Sequence, residues 1–206
     1  FNKHIINIDK ITWKLKQIHI FSDNLRKEKL LDFENGKNQL FSTLKNYQLY
    51  KILEKNLKKN KYFKIINIKR KKNYFENYDI VIVTDYFSPI AKKYFNKQII
   101  KKYNSFAYTT IIEHKNIPND IATQIFTKYG PLAFLPLSNN KTSIVYSINN
   151  SNLFSNEQIQ DLIHNYNFKY KIKKINKIES FELKSFNLRS YYNNKFLAFG
   201  DLLHRI

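Results

Sequence analysis

The chain has 206 residues, of which 43% are hydrophobic and 16% aromatic; this suits one large domain or two small ones and excludes a disordered chain. The absence of Cys excludes disulfides and a thiolate metal site, and His4, His19, His114, His164 and His204 never fall at a metal-ligand spacing. Thirty-six basic against sixteen acidic residues leave a net charge of +20, yet only four of the basic residues are Arg. A guanidinium is the better fork for phosphates and bases, so this surplus reads as lysine used by default on the surface, and no specific nucleic-acid partner is expected.

No apolar run is long enough for a transmembrane helix. The amino terminus, Phe1-Asn-Lys-His-Ile5, has neither an initiator Met nor the apolar core of a signal peptide, so the start is expected to be an internal cut. Residues 1–14 carry Ile5, Ile8, Ile11 and Trp13 in a loose helical pattern. Lys16 to Ser22 and Leu30 to Phe33 read as strands, with a turn at Asp23-Asn24 and a loop over 34–38. Asn46 is placed to cap a helix over 46–59, with Leu49, Ile52, Leu53 and Leu57 near one face.

Tyr62 to Lys69 alternates as a strand. Tyr78-Asp-Ile-Val-Ile-Val-Thr-Asp85 is a β-branched run with little alternation, the pattern of a strand covered on both faces. Ser88-Pro89 opens a short helix to about residue 95. From Ser105 the texture changes to strands over 106–113, 121–127, 132–137 and 142–148, separated by turn residues. Ser155-Asn-Glu-Gln158 matches a capping box ahead of a helix to Tyr166. Residues 175–188 return to strand and 191–194 turn.

The last stretch, Phe196-Leu-Ala-Phe-Gly-Asp201, reads as a buried strand, a glycine and a carboxylate where a helix could begin. In open α/β sheets, ligands gather outside the carboxyl ends of strands. On the residues alone, an ordinary helix N-cap is the favoured reading of Asp201, capping being the commonest use of such an Asp. The order of elements implies an α/β (α+β) fold, a partial Rossmann-like domain interrupted by a mostly antiparallel sheet. The domains are expected at 1–104, with early strands of the inserted sheet, at 105–190 for that sheet and its helix, and at 191–206 for the return.

Three stretches resemble the flavin-dependent aromatic monooxygenases, in particular their ubiquinone-biosynthesis hydroxylase branch. Asp79-Ile-Val-Ile-Val-Thr-Asp85 followed by Ser88 stands where that family has a strand ending in Ala-Asp-Gly and then a Ser. Gly130-Pro-Leu-Ala-Phe-Leu-Pro-Leu137 is similar to its Gly-Pro-Leu-Ala-x-Leu-Pro-Leu hairpin. Gly200-Asp-Leu-Leu-His204 resembles its Gly-Asp-x-x-His flavin motif, and Asn46-Tyr-Gln-Leu49 adds a weaker match.

The resemblance implies an FAD-binding domain and an enzyme in which NAD(P)H reduces the flavin and O2 supplies one oxygen atom to an electron-rich ring of a ubiquinone precursor. Gly200, Asp201, Asp85 and Asn46 would bind the cofactor. Asp201 would accept from the ribityl hydroxyls, a charge-assisted bond of about 1.5–3 kcal/mol. Phe126, Leu132, Phe134 and Leu135 would wall the substrate pocket, and His204 would orient the corner or touch the cofactor. No catalytic side chain and no metal is implied. The partner would be a polyprenylated aromatic substrate. The expected location is cytoplasmic, peripheral on the inner membrane face or in contact with a ubiquinone-biosynthesis complex.

Two departures bear on that reading. Tyr86 replaces the glycine of Asp-Gly, and Ala91 stands where a basic residue is common. The Gly-x-Gly-x-x-Gly turn that cradles a pyrophosphate is absent, since the three glycines are far apart. The chain is therefore expected to be an internal piece of a longer enzyme, inactive and without tightly held FAD when isolated. The competing readings are a non-catalytic relative of the family and a basic module that binds RNA or a membrane surface.

Overall fold

The computed structural model describes residues 7–23, 28–36, 38–66, 75–149 and 153–205. The chain divides into two compact units, Phe1–Lys64 with Ser105–Phe181, and Ile65–Asn104 with Glu182–Ile206. The first break thus falls after Lys64, inside the expected 1–104 segment, and the return begins at Glu182 rather than at 191.

In the first unit, β1 (Thr12–Leu15) pairs antiparallel with β4 (Phe41–Leu44). β1 replaces the described part of the expected helix over 1–14: Trp13 donates its indole N–H to the Asn119 carbonyl at 2.6 Å, and Leu15 is fully buried. Tertiary contacts override a weak helical pattern. The larger sheet of this unit runs β10 (Ile172–Ile175), β6 (Gln98–His114, in this unit from Ser105), β9 (Lys141–Ile148), β8 (Gly130–Ser138), β7 (Ile121–Thr127), β2 (Gln17–Ser22) and β3 (Lys29–Glu34). Its pairings are antiparallel except β2 with β7, which is parallel.

Proline has no N–H for a ladder. The β8/β9 register accordingly shifts between Pro136 and Ser138, and the Pro136 carbonyl accepts from Thr43 Oγ1 at 2.6 Å.

One face of this sheet is closed by α3 (Asn156–Tyr166), whose capping box at Ser155 and Gln158 is formed as the sequence predicts. Ile159 and Ile163 of α3 join Tyr108, Ile112, Leu132, Phe134, Ile144 and Tyr146 in one buried cluster. Each aliphatic side chain withdrawn from water there contributes about 1.5–3 kcal/mol.

α1 (Asn46–Leu57) forms, but Asn46 does not cap it. The cap position is Lys45, with no side-chain bond, and α1 buries no residue fully. Residues 62–66 are not strand, and 67–69 of that expected strand lie outside the described residues.

The second unit holds β5 (Val81–Val83), α2 (Pro89–Tyr94), β12 (Tyr192–Asn193) and β13 (Phe196–Ala198), with β13 between β12 and β5. Two strands complete the chain: β11 (Glu179–Leu188), in this unit from Glu182, and β14 (His204–Arg205), which pair antiparallel. Ala91 of α2 packs with Val83, Phe95, Phe196, Ala198 and Leu202 as this unit's core. Among the described residues of this unit, β5 and β13 pair in parallel. No helix among the described residues is long and apolar enough to cross a membrane.

Candidate functional site: the rim of the parallel pair

β5 and β13 run side by side in register, Phe196 against Val81, Leu197 against Ile82 and Ala198 against Val83. The ladder extends one residue at each end, from Val81 N–H to the Lys195 carbonyl at 2.8 Å and from Phe199 N–H to the Val83 carbonyl at 2.9 Å. Because the strands are parallel, both carboxyl ends open on the same rim. Asp85 follows β5 by two residues and Asp201 follows β13 by three. The sequence alone placed these two carboxylates at strand ends; the pairing brings the ends together.

Past β5 the chain folds into an Asx turn: Asp85 Oδ1 accepts the Phe87 N–H at 2.9 Å, and the Asp85 carbonyl accepts that of Ser88 at 3.2 Å. Ser88 then caps α2 by accepting the Ala91 N–H at 3.1 Å, and Pro89 takes the first turn.

Past β13 the chain turns through Gly200, whose φ of +61° is in the left-handed region that glycine adopts without penalty. A 3-10 turn, Gly200–Leu202, follows. Asp201 sits inside that turn. It is not an N-cap, because the cap position is Phe199 and no side chain caps the turn. Its carboxylate is exposed and has no hydrogen-bond partner among the described residues.

The two departures from the family pattern have local causes. Tyr86 is not among the described residues with positive φ. Its ring packs at 5.2 Å centroid distance on Phe87 and on Phe186, so the tyrosine is accommodated without left-handed backbone. Ala91 is 2% exposed, on the inner side of α2, where a basic side chain would be buried without a counter-charge. His204 lies on β14, opposite Asn187, and its Nδ1 pairs with Asn187 Oδ1.

Asn46 belongs to the first unit, on exposed α1. The four expected substrate residues divide by strand alternation. Leu132 and Phe134 are 0% and 2% exposed and belong to the core under α3, and Phe134 also lines a small hollow with Thr123, Tyr166 and Tyr170. Phe126 and Leu135 lie on the opposite face of β7 and β8, where Phe126 is exposed.

The expectation that β5 is covered on both faces is also corrected. Val83 is buried, but Ile80 and Ile82 stay exposed. A β-branched run specifies a strand and does not say what covers it.

A cleft of about 420 Å³ in the first unit escaped the sequence reading; it is lined by Phe21, Ser22, Asp23, Ile125, Asn165, Tyr166 and Phe168. Asp23 Oδ2 accepts the Lys128 N–H at 2.9 Å and the Tyr166 hydroxyl at 3.1 Å. In the sequence Asp23 reads only as a turn residue; the partners that fix it are more than a hundred residues away.

The chain superposes on p-nitrophenol 4-monooxygenase PnpA from Pseudomonas putida DLL-E4 with a TM-score of 0.67 at 10% identity, over 97% of this chain and 59% of that one. Against the flavin-dependent brominase Bmp2 the TM-score is 0.65 at 10% identity, over 97% and 58%. Against the tetracycline destructase Tet(51) it is 0.54 at 11% identity, over 94% and 57%. The likeness is one of fold. The chain spans less than three fifths of the length of each of these proteins. No protein-family model matches the sequence, and no curated protein matches it.

Proposed function

We propose that the chain is part of an FAD-dependent monooxygenase that hydroxylates an aromatic ring, the resemblance pointing to a ubiquinone precursor as substrate and NAD(P)H as reductant. The observation that carries this reading is the placement of Asp85 and Asp201 at one rim of a parallel pair. The shared fold with a flavin-dependent brominase and a monooxygenase supports it.

The corner fits the polar middle of the cofactor. Asp201 offers an exposed carboxylate with no partner of its own among the described residues, the acceptor that ribityl hydroxyls need. Space is open beside it, since a Cβ added at Gly200 would meet nothing within 4 Å. Asp85 has one oxygen committed to its own turn and the other free of that bond. No part of the 206 residues fits the pyrophosphate, because Gly36, Gly130 and Gly200 cannot form a glycine-rich cradle. When bound, flavin supplies the redox chemistry that activates O2.

The chain's own contribution is to bind and orient. Asp201 and Asp85 hold hydroxyls at the rim. Tyr86 and Ala91 fill the layer beneath and carry no reactive role, so packing accounts for the two residues that would mark a non-catalytic relative. The substrate pocket would be walled by residues of the Phe126, Leu132, Phe134 and Leu135 set, as the resemblance implies.

The test is flavin content and NAD(P)H oxidation by the gene product as the cell makes it, with a prenylated phenol as substrate. Bound flavin with phenol-stimulated oxidation supports the reading. Bound flavin without oxidation means a non-catalytic relative, and no flavin removes the reading altogether.

A further inference from the structure

β2 and β7 run parallel with Phe21 opposite Ile125, so their carboxyl ends share a rim. Asp23 follows β2 directly. Its Oδ2 accepts the Lys128 N–H just past β7 at 2.9 Å and the Tyr166 hydroxyl at the end of α3 at 3.1 Å. One carboxylate oxygen thus ties three elements together. The other, Oδ1, has no hydrogen-bond partner among the described residues. Burial first, and then Asp23 itself, raise the Tyr166 hydroxyl above its ordinary value, so it stays protonated as a donor to an ionised Asp23.

Beyond α3 the chain turns on Asn167, whose Oδ1 accepts the N–H groups of Lys169 and Tyr170 at 3.3 and 2.9 Å. After that turn Phe168 stands edge-on to Phe21, with ring centroids 5.0 Å apart. Phe21, Ile125, Tyr166 and Phe168 wall the cleft of about 420 Å³, and small-molecule sites run from roughly 300 to 1,000 Å³. Among the described residues that line it, Asp23 is the one charged side chain, an acid on a chain of net charge +20. None of the residues expected to bind the cofactor or the aromatic substrate lines it.

A carboxylate beside an apolar space is costly to leave without a counter-charge, and the faces of aromatic rings attract cations. We propose that this cleft binds an organic ammonium ion with an apolar body, the ammonium donating to Asp23 Oδ1 and the body lying against Phe21, Ile125 and Phe168. A neutral ligand of the same shape leaves the carboxylate unpaired, and an anionic one is repelled by it. The proposal rests on the cleft alone and does not depend on the flavin reading.

The probe is phenethylamine, with phenethyl alcohol and phenylacetate as its neutral and anionic counterparts, titrated calorimetrically into the gene product as the cell makes it. Phenethylamine is expected to bind with a Kd of about 1 mM or tighter, and each counterpart about tenfold or more weakly. Asp23→Asn keeps an oxygen for the Lys128 N–H and the Tyr166 hydroxyl but removes the charge, and is expected to lose about tenfold or more in amine affinity. Phe168→Ala, at a side chain already 48% exposed, is expected to lose about threefold or more. Circular dichroism verifies the fold of both variants; should the asparagine variant not fold, the three probes on the unsubstituted protein and Phe168→Ala decide. Absence of saturable amine binding overturns the proposal. So does binding of the alcohol or of phenylacetate as tight as that of the amine, or unchanged amine affinity in either folded variant.

Discussion

Val83 and Ala198 are register partners in a parallel ladder, and each is followed within three residues by an aspartate, Asp85 or Asp201. Aspartates 116 positions apart in the chain are thereby set at one rim. The same ladder fixes which side chains of the pair are buried, Val83, Phe196 and Ala198, and which are exposed, Ile82 and Leu197.

Gly130 and Gly200 both have positive φ, at +135° and +61°, but for different reasons. A Cβ at Gly130 would drive into the Ser147 carbonyl, whereas one at Gly200 meets open space. Gly130→Ala is expected to cost about 3 kcal/mol or more, from backbone strain plus a clash with an immobile carbonyl, and Gly200→Ala about 1–2 kcal/mol from backbone alone. Urea unfolding of the two variants measures the difference; equal losses would contradict the assignment.

Thr142 is fully buried, and its Oγ1 lies 3.0 Å from both Asn119 Nδ2 and His114 Nε2. His114 Nδ1 faces the Lys115 carbonyl at 2.8 Å, an acceptor only, so Nδ1–H donates to it and Nε2 is left to pair with the Thr142 hydroxyl. Thr142→Val leaves the Asn119 donor and the His114 acceptor without that partner and is expected to cost about 2–4 kcal/mol, while Thr142→Ser retains most of the stability. Chemical denaturation of both variants checks this, and a valine variant as stable as the serine one would count against it.

Burial pushes the Tyr146 and Tyr170 hydroxyls up to about 12. Thr127 spends its one hydroxyl proton on the Gly130 carbonyl, so Tyr146 donates to Thr127 at 2.8 Å; Tyr170 donates to Asn119 at 3.0 Å. The folded-state values lie above the unfolded one, so this stabilisation is intact below about pH 10 and is lost as pH rises towards about 12. The melting temperature is expected to fall across that window, and to fall less steeply in Tyr146→Phe and Tyr170→Phe.

Local signals made much of this structure legible in advance. The Ser155 to Gln158 capping box, the short strand β7 and the glycine-aspartate corner each depend on neighbours in sequence. What stayed hidden depends on distant partners. The first half of β6 is a solvent-exposed run of lysines and paired isoleucines, with no alternation to betray a strand. Asn46 has the right side chain for a cap, but the helix starts one position earlier than that role requires. Leu132 and Phe134 could not be assigned to a face until α3 was seen to close one side of the sheet.

The central claim is that the Asp201 carboxylate at the β13 rim holds flavin. The direct measurement is flavin affinity of the gene product as the cell makes it, against its Asp201→Ala variant with the fold verified by circular dichroism. Loss of one charge-assisted hydrogen-bond acceptor is expected to weaken flavin binding by about 10- to 150-fold. Unchanged affinity in the folded variant would contradict the account.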